Sequence, residues 1–564
     1  MAATSRLFRQ TPKTKTKNKV VYVDSFQGIV QAKKVLKDRT YLGVDTETTG
    51  LNPRTDKVRI LSVSTGDNLP TYVIDIFKTG WDGITGLLKN HILIMHNALF
   101  DLQFLHLAGV GITYPVYDTM LLSQILLAGT KESSSLENCC KRILNQELNK
   151  EQQKSDWSGD LTEEQIKYAG KDSYVLLSLY EQMKQKTLEA GLSRIVELET
   201  ACLKSIVAMS LAGIGVNLVG WAKEVDGFST RSEELKKELA VYGDINWNSP
   251  KQVKECFAKH GKVVTSTAHA ALLEMNHPLA DLVDKYRTTS KRVSTYGKKW
   301  IKFLLGSRVH PHWRQIGTDT GRMSCSKPNL QQVPRDSFRK HIVPSEGKVL
   351  IKGDYSQIEL RIAAEIASDP VLKRAFNNKE DLYTEGAKRL LGVKEVTKKD
   401  RQISKSLHLG LIYGMGIKKL VAYTKTNFGI TLSLGQAKTF RDKFFATYTG
   451  LDAWHARTRW SDTTETRTVE LRRRLIDKEA PGSFRLNSPV QGTGADGLKR
   501  ALCGLDTDMV PVIASHDEIV VEYPEALAEE GASRLKDIMV RSMQPLIPSV
   551  PVEAEVTYGK AWGK

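Results

Sequence analysis

Two short apolar runs that each end on an acid restrict this chain more than any other feature. Tyr41-Leu42-Gly43-Val44 leads into Asp45-Thr46-Glu47, and Val349-Leu350-Ile351-Lys352-Gly353 leads into Asp354. Runs this short, with apolar positions alternating, read as strands rather than helices. Each strand delivers carboxylates at its end, and Asp45 and Glu47, two apart, share one side. Further strands are read at Val20–Val23, 60–63, 72–76 and Ile92–Met95, and a hairpin at 510–513 with 519–523. Helical patterns dominate 99–191 and fill 359–460, while 196–305 is helix-rich, basic and poor in motifs. The chain therefore reads as α/β at its start and α+β afterwards, with 564 residues allowing three or four domains.

The first acids belong to a larger set. His96-Asn97 follows the strand at 92–95, with Asp101 four residues past Asn97. Tyr168 and Asp172 are four apart, hence on one helix face. That helix opens on Thr162-x-x-Gln165, a capping-box pattern, and Gly191 is a plausible stop. Asp45, Glu47, Asp101 and Asp172 suit hard divalent cations such as Mg²⁺, which prefer carboxylate oxygens. Clustered without a cation, they would raise one another's pKa values. Two ions about 3.5–4 Å apart can activate a water and stabilise the leaving oxygen of a phosphodiester; Tyr168 would position that water. In this order, D-x-E, N-x₃-D and Y-x₃-D resemble the DEDD family of 3′-to-5′ exonucleases, tyrosine-bearing subclass, over residues 20–196. The resemblance makes Asp45, Glu47, Asp101 and Asp172 the metal ligands.

The second set is spread further. Asp354 closes its strand and a helix carrying Glu359 follows, while Ala514-Ser515-His516-Asp517-Glu518 occupies the turn of the hairpin. An acid at a strand end and another at a hairpin tip can converge across a sheet, and two aspartates are the minimum for two-metal phosphoryl transfer. Between them Arg401, Lys405, Leu409 and Tyr413 recur every four residues and read as a stripe on one helix face. At 1.5 Å per residue the stripe is roughly 18 Å long, which suits a nucleoside triphosphate: cations for phosphates, an apolar contact for the sugar, an aromatic for the base. Alone, the stripe reads as the basic edge of an amphipathic helix. It stands, however, in an ordered series: Thr320-Gly321-Arg322-Met323-Ser324, Pro328-Asn329-Leu330-Gln331, Asp354, the stripe, Asn487-Ser488-Pro489-Val490-Gln491 through Asp496, and His516-Asp517-Glu518. From about residue 196 onward this series resembles the polymerase I family of DNA polymerases (family A). Ser249-Pro250-Lys251-Gln252, Thr295-Tyr296 and Trp562 agree with it.

The resemblance implies a ribonuclease H-like exonuclease domain followed by a right-hand polymerase. The expected boundaries are a basic tail at 1–22, exonuclease at 23–195, thumb at 196–305, palm at 306–370 and 470–564, and fingers at 371–469. Asp354, Tyr355 and Asp517 would hold two Mg²⁺, with Mn²⁺ able to substitute. Arg401, Lys405, Leu409, Tyr413, Gln357 and Tyr383 would meet the incoming deoxynucleotide, and Glu359 would be the steric gate against ribonucleotides. Arg322, Gln331, Asn487, Gln491 and His516 would contact the primer–template end without reading sequence. Three positions depart from the family pattern. Leu409 stands where well-known members carry Phe or Tyr, Tyr383 replaces a histidine, and Arg472-Arg473-Arg474 lacks its usual preceding glycine.

Composition agrees with this reading. Lys plus Arg total 82 against 64 Asp plus Glu, a formal net charge of +18, which favours nucleic acid as the partner. Six cysteines show no C-x-x-C pair or metal-finger spacing, which fits a reducing compartment. No window has the apolar length of a membrane span, and the basic first residues lack the apolar core of a secretory signal. The expected setting is a bacterial host's cytoplasm, for a compact phage or prophage enzyme working with primer–template DNA, deoxynucleotides and a replicative helicase or processivity factor. An organellar enzyme is the lesser alternative. Rival readings are a nuclease with a nucleic-acid-binding half, an RNA polymerase or reverse transcriptase on the same palm, and an inactive subunit. Glu359 weighs against ribonucleotides, and the complete acid and base sets weigh against inactivity.

Overall fold

The computed structural model describes residues 19–459, 461–477 and 479–563; most of the expected basic tail, residues 1–18, lies outside them. The chain forms two compact units.

The first unit takes the chain up to Leu211 together with Trp313–Ser324 and Asp462–Leu505. Its sheet contains β1 (Val20–Val23), β2 (Tyr41–Thr48), β3 (Val58–Ser64), β4 (Thr71–Asp75), β5 (Ile92–Met95) and β6 (Val116–Asp118), in the order β1-β4-β3-β2-β5-β6. β2 runs antiparallel to β3 and parallel to β5, so it sits inside the sheet. All residues of β3 and β4 are buried, as expected where both faces are covered. The helices are α1 (Phe26–Leu36), α2 (Ala98–Leu107), α3 (Thr119–Leu127), α4 (Glu163–Glu189) and α5 (Ser193–Ala212), with a further helix at Gly482–Cys503. α4 opens on the expected capping box, Thr162 and Gln165 each satisfying the other's backbone. It lies directly on β2 because Gly43 has no side chain: a Cβ there would sit 2.4 Å from the Ser173 carbonyl oxygen. That close approach brings Asp172 over the strand that carries Asp45 and Glu47.

The second unit contains the long helices α6 (Leu218–Ala240) and α7 (Pro278–Tyr296) and a four-stranded antiparallel sheet. The sheet comprises β7 (Lys348–Tyr355), β8 (Val510–Ser515), β9 (Glu518–Pro524) and β10 (Ala554–Gly559), in the order β8-β9-β7-β10. Asp354 lies opposite Glu518 on one side and Glu555 on the other. Gly353 leaves space beneath the strand for helix α11 (Ala528–Met543), since a Cβ would meet Met539 Sδ at 2.4 Å. Helices α8 (Ile358–Ile366), α9 (Lys398–Leu411) and α10 (Leu434–Thr447) complete the parts used below.

Both acid-bearing strands extend past their apolar runs, so Asp45, Glu47 and Asp354 lie within strands rather than beyond them. The stripe helix stops earlier than the four-residue spacing implies. α9 ends at Leu411, Gly414 adopts φ +68, and its N–H donates to the Leu411 carbonyl at 2.8 Å. Tyr413 is therefore in the turn after the helix, not on it. Among the described residues, no helix is long and apolar enough to cross a membrane.

Candidate active sites

In the first unit, alternation along β2 turns Asp45 and Glu47 to one face, and α4 supplies Asp172. Oxygens of these three carboxylates lie within 4.8 Å of one another. Asp101, in the first turn of α2, is tied beside them by Thr46, whose N–H and hydroxyl donate to Oδ1 at 3.1 and 2.6 Å. The turn into α2 is fixed by Asn97 at φ +63 and by Asp118, which accepts from the Asn97 and Ala98 N–H groups. The acids line a cleft of about 1000 Å³ that also includes Tyr168, Trp157 and Trp313. Trp157 Nε1, Trp313 Nε1 and Gln124 Oε1 are buried at its wall without a protein partner.

Burial, then mutual repulsion, sets the electrostatics. Asp45 is held well above the usual carboxylate range by burial and by the charges of Glu47, Asp101 and Asp172. Glu47 rises for the same reasons, Asp172 rises with burial, and Asp101 is pushed up to about 7, also by burial. Burial pushes His96 down to about 3 and keeps it neutral. Four clustered acids, opposed chiefly by Lys150 with Lys171 acting on Asp172, form a donor set that fits divalent metal. Lys150 is the residue that sequence reasoning missed here. It comes from a polar stretch with no periodicity, and its Nζ lies 3.3 Å from Asp172 Oδ2 and 3.4 Å from Tyr168 Oη.

In the second unit the hairpin tip joins β7. Asp354 faces Glu518 across the ladder, and the Tyr355 N–H donates to the Asp517 carbonyl at 3.2 Å. His516, at φ +57, makes the tight turn that presents Asp517. Asp354 is raised by burial and by Glu555, against Arg335, Lys352 and Arg339. The Tyr355 phenol turns away and donates to the Met539 carbonyl at 2.7 Å. Glu518 is braced from behind: Trp562 Nε1 donates to it at 2.6 Å, Arg339 pairs with it at 3.6 Å, and the Arg339 guanidinium lies 3.8 Å from the Trp562 ring centre.

Residues 222–564 match the model of DNA polymerase family A, and residues 20–188 match that of the 3′-5′ exonuclease. The chain belongs to DNA polymerase family A. The polymerase is similar to DNA polymerase I of Aquifex aeolicus, 31% identical over 96% of this chain and 99% of that protein. It is also similar to the DNA polymerase I of Borreliella burgdorferi (27%, covering 99% and 67%) and of Synechocystis sp. (28%, covering 98% and 63%). Its fold matches the POL domain of Pol1 from M. smegmatis, solved in complex with DNA primer-template and dNTP, with a TM-score of 0.83. The identity is 23%, over 94% of this chain and 98% of that one. The polymerase is a DNA-directed DNA polymerase with a 3′-5′ exonuclease domain.

In the second unit, α9 of the polymerase presents Arg401, Lys405 and Leu409 half-exposed, while Ser404, Leu407, His408 and Leu411 are buried. Arg401 pairs with Asp381 at 2.7 and 3.2 Å. The ring of Tyr383 lies 5.3 Å from the Arg401 guanidinium and 5.8 Å from Lys405 Nζ, and burial pushes its phenol up to about 12. The Tyr413 hydroxyl donates to Glu359 Oε2 at 2.5 Å. Gln357, at φ +52, caps α8, and its side-chain oxygen is buried without a partner. Gln331 donates to the Ala514 carbonyl at 3.0 Å, which docks it on the hairpin. Arg322, Asn487 and Gln491 belong to the first unit, and Asn487 Oδ1 is buried there without a partner. The arginine run is spent on structure: Arg472 meets Glu199 and Asp496, Arg473 donates to the Leu126 carbonyl, and Arg474 pairs with Asp319.

Proposed function

We propose that the polymerase copies a DNA template from deoxynucleotides and removes nucleotides from the same primer's 3′ end, with a separate carboxylate centre for each reaction. The observation that carries this is the pairing of two acid clusters with two family matches: Asp45, Glu47 and Asp172 within 4.8 Å in residues 20–188, and Asp354 beside the Asp517 turn in residues 222–564.

For synthesis, Asp354, Asp517 and the Tyr355 carbonyl would hold the cations; for degradation, Asp45, Glu47, Asp101 and Asp172 would. Two divalent ions per site, Mg²⁺ with Mn²⁺ as a substitute, would lower the pKa of the attacking oxygen and neutralise phosphate charge. In extension the primer O3′ bonds to the α-phosphorus, the bond to pyrophosphate breaks, and the hydroxyl proton leaves to solvent. Arg401 and Lys405 receive the triphosphate. Arg401 gives up Asp381 at little cost because exposed ion pairs are weak, and a phosphate takes its place bidentately. Tyr383 supports both cations from below, Leu409 meets the sugar, Tyr413 the base, and Glu359 closes the space of a 2′-hydroxyl. Gln357 offers its unpartnered oxygen to the nucleotide. Arg322, Gln331, Asn487, Gln491 and His516 grip the primer–template end, and the basic helices α6 and α7 act as the thumb on duplex phosphates. In degradation Tyr168 orients the attacking water. The water oxygen bonds to phosphorus, the bond to the penultimate O3′ breaks, that oxygen takes up a proton, and a 5′-mononucleotide leaves.

The setting that fits is DNA replication beside a helicase or processivity factor, in a bacterial cytoplasm. Compactness favoured a phage enzyme, but the Aquifex relative is matched over 99% of its length and comes from a bacterium, so compactness does not single out a phage. One primer–template assay tests the whole reading. Deoxynucleotides should give extension, their omission should give shortening from the 3′ end, and a chelator should stop both. Chelator-resistant activity would remove the metal role, and extension with ribonucleotides alone would remove the deoxynucleotide assignment.

A further inference from the structure

Lys150 reaches the exonuclease acids from a segment that no motif marks. Its side chain is 21% exposed, and its Nζ contacts Asp172 Oδ2 at 3.3 Å and Tyr168 Oη at 3.4 Å, 5.6 Å from the centre of the tyrosine ring. The loop is held in place by Asn149, whose Oδ1 accepts from the Glu151 N–H at 2.9 Å and whose Nδ2 donates to Glu151 Oε2 at 3.0 Å. The lysine offsets the charge of the buried acids, but a counter-charge alone does not require contact with the tyrosine. Orientation does. An ammonium only donates, so the tyrosine oxygen accepts from it, while the tyrosine's own proton goes to the Asp172 carboxylate. The ring packs against Trp157, 6.4 Å away between centres. Lys150 and Asp172 together hold the hydroxyl that ring packing leaves free to turn.

We propose that Lys150 is a positioning residue of the exonuclease: it donates to the Tyr168 oxygen and holds Asp172 beside it, so that this oxygen is fixed as an acceptor for the attacking water. This rests on the exonuclease reading above. The alternative role for a lysine in such a cleft is to grip a strand phosphate, and the two differ in what they change. The experiment compares Lys150→Met, Lys150→Arg, Tyr168→Phe and the Lys150→Met/Tyr168→Phe double variant on a single-stranded oligonucleotide, with primer extension by the same preparations as the folding control. Lys150→Met should lower kcat for degradation by about 10- to 100-fold, the usual cost of losing an outer partner that orients an active-site group. KM, and binding of the oligonucleotide in chelator followed by fluorescence anisotropy, should stay unchanged. Lys150→Arg should recover most of the rate, and the double variant should be no slower than Tyr168→Phe alone. Unchanged kcat, additive losses in the double variant, or weakened binding in chelator would each overturn the proposal, the last in favour of a phosphate grip. If Lys150→Met also lost extension, Lys150→Gln would replace it, with the same expected outcomes. Asp45→Ala with Glu47→Ala is run alongside. Degradation surviving in that variant would fault the exonuclease reading itself, independently of Lys150.

Discussion

The Glu359–Tyr413 contact shows how a hydrogen bond helps to place a carboxylate. Glu359 stands in the first turn of α8, and the Tyr413 hydroxyl donates to it at 2.5 Å. A charged acceptor makes this one of the stronger hydrogen bonds available to a side chain. If the carboxylate blocks a 2′-hydroxyl, truncation should open that space. Glu359→Ala is expected to raise ribonucleotide use relative to deoxynucleotide by about 10- to 200-fold, the range over which a pocket discriminates by size. Tyr413→Phe, which removes this hydrogen bond and keeps the carboxylate, should raise the ratio less. The ratio of kcat/KM values for matched ribo- and deoxynucleotides measures both, and an unchanged ratio in Glu359→Ala removes the gate role.

At the scale of elements, the stripe helix is held from its buried side by two neutral histidines. In α9, His408 Nδ1 lies 2.7 Å from the Ser404 carbonyl and Nε2 lies 2.7 Å from the Tyr448 hydroxyl. The proton is therefore on Nδ1, and Nε2 accepts from tyrosine. His455 donates Nε2–H to the Ile412 carbonyl at 2.9 Å, just past the helix. Tyr448→Phe leaves a buried acceptor unpaired and should cost about 1–3 kcal/mol, read as a lower urea midpoint at unchanged slope. Burial pushes both histidines down to about 4. Between that value and their ordinary pKa the unfolded chain binds more protons, so stability rises with pH through this window. It should be complete above about pH 6.5 and fall towards pH 4, with a smaller fall in His455→Gln. The sequence showed which residues line the stripe, because i, i+4 spacing is a local property, and showed the capping box of α4 for the same reason. It did not show where α9 ends, since Gly414 stops the helix by its left-handed backbone while the spacing runs on to Tyr413. Lys150, the Trp562–Glu518–Arg339 brace and the buried Glu199–Lys499–Arg472–Asp496 network were also hidden, since each joins residues that only the tertiary fold brings together.

At the scale of the whole molecule, the question is whether two reactions on one chain are independent chemically and linked through their substrate. The ligands come from non-overlapping segments, and each acid acts on charges within its own cluster, so removal of one cluster should leave the other reaction's chemistry intact. Asp45→Ala with Glu47→Ala is expected to abolish 3′-end degradation and leave extension within about twofold, since local positioning governs each rate. Asp354→Asn or Asp517→Asn should do the reverse, with extension down by at least about 10²–10³, the scale of losing one electrostatic stabiliser. The substrate links them again. In the unaltered polymerase, deoxynucleotides should protect a matched primer, because each nucleotide removed is replaced before the next is lost. In Asp354→Asn the same deoxynucleotides should give little protection, since nothing restores the end. Single-turnover shortening of one labelled primer, with and without the next correct deoxynucleotide, separates the cases. Full protection in Asp354→Asn would mean that nucleotide binding alone withholds the end from the exonuclease. Loss of protection means that the balance between the two centres is set by the rate of synthesis.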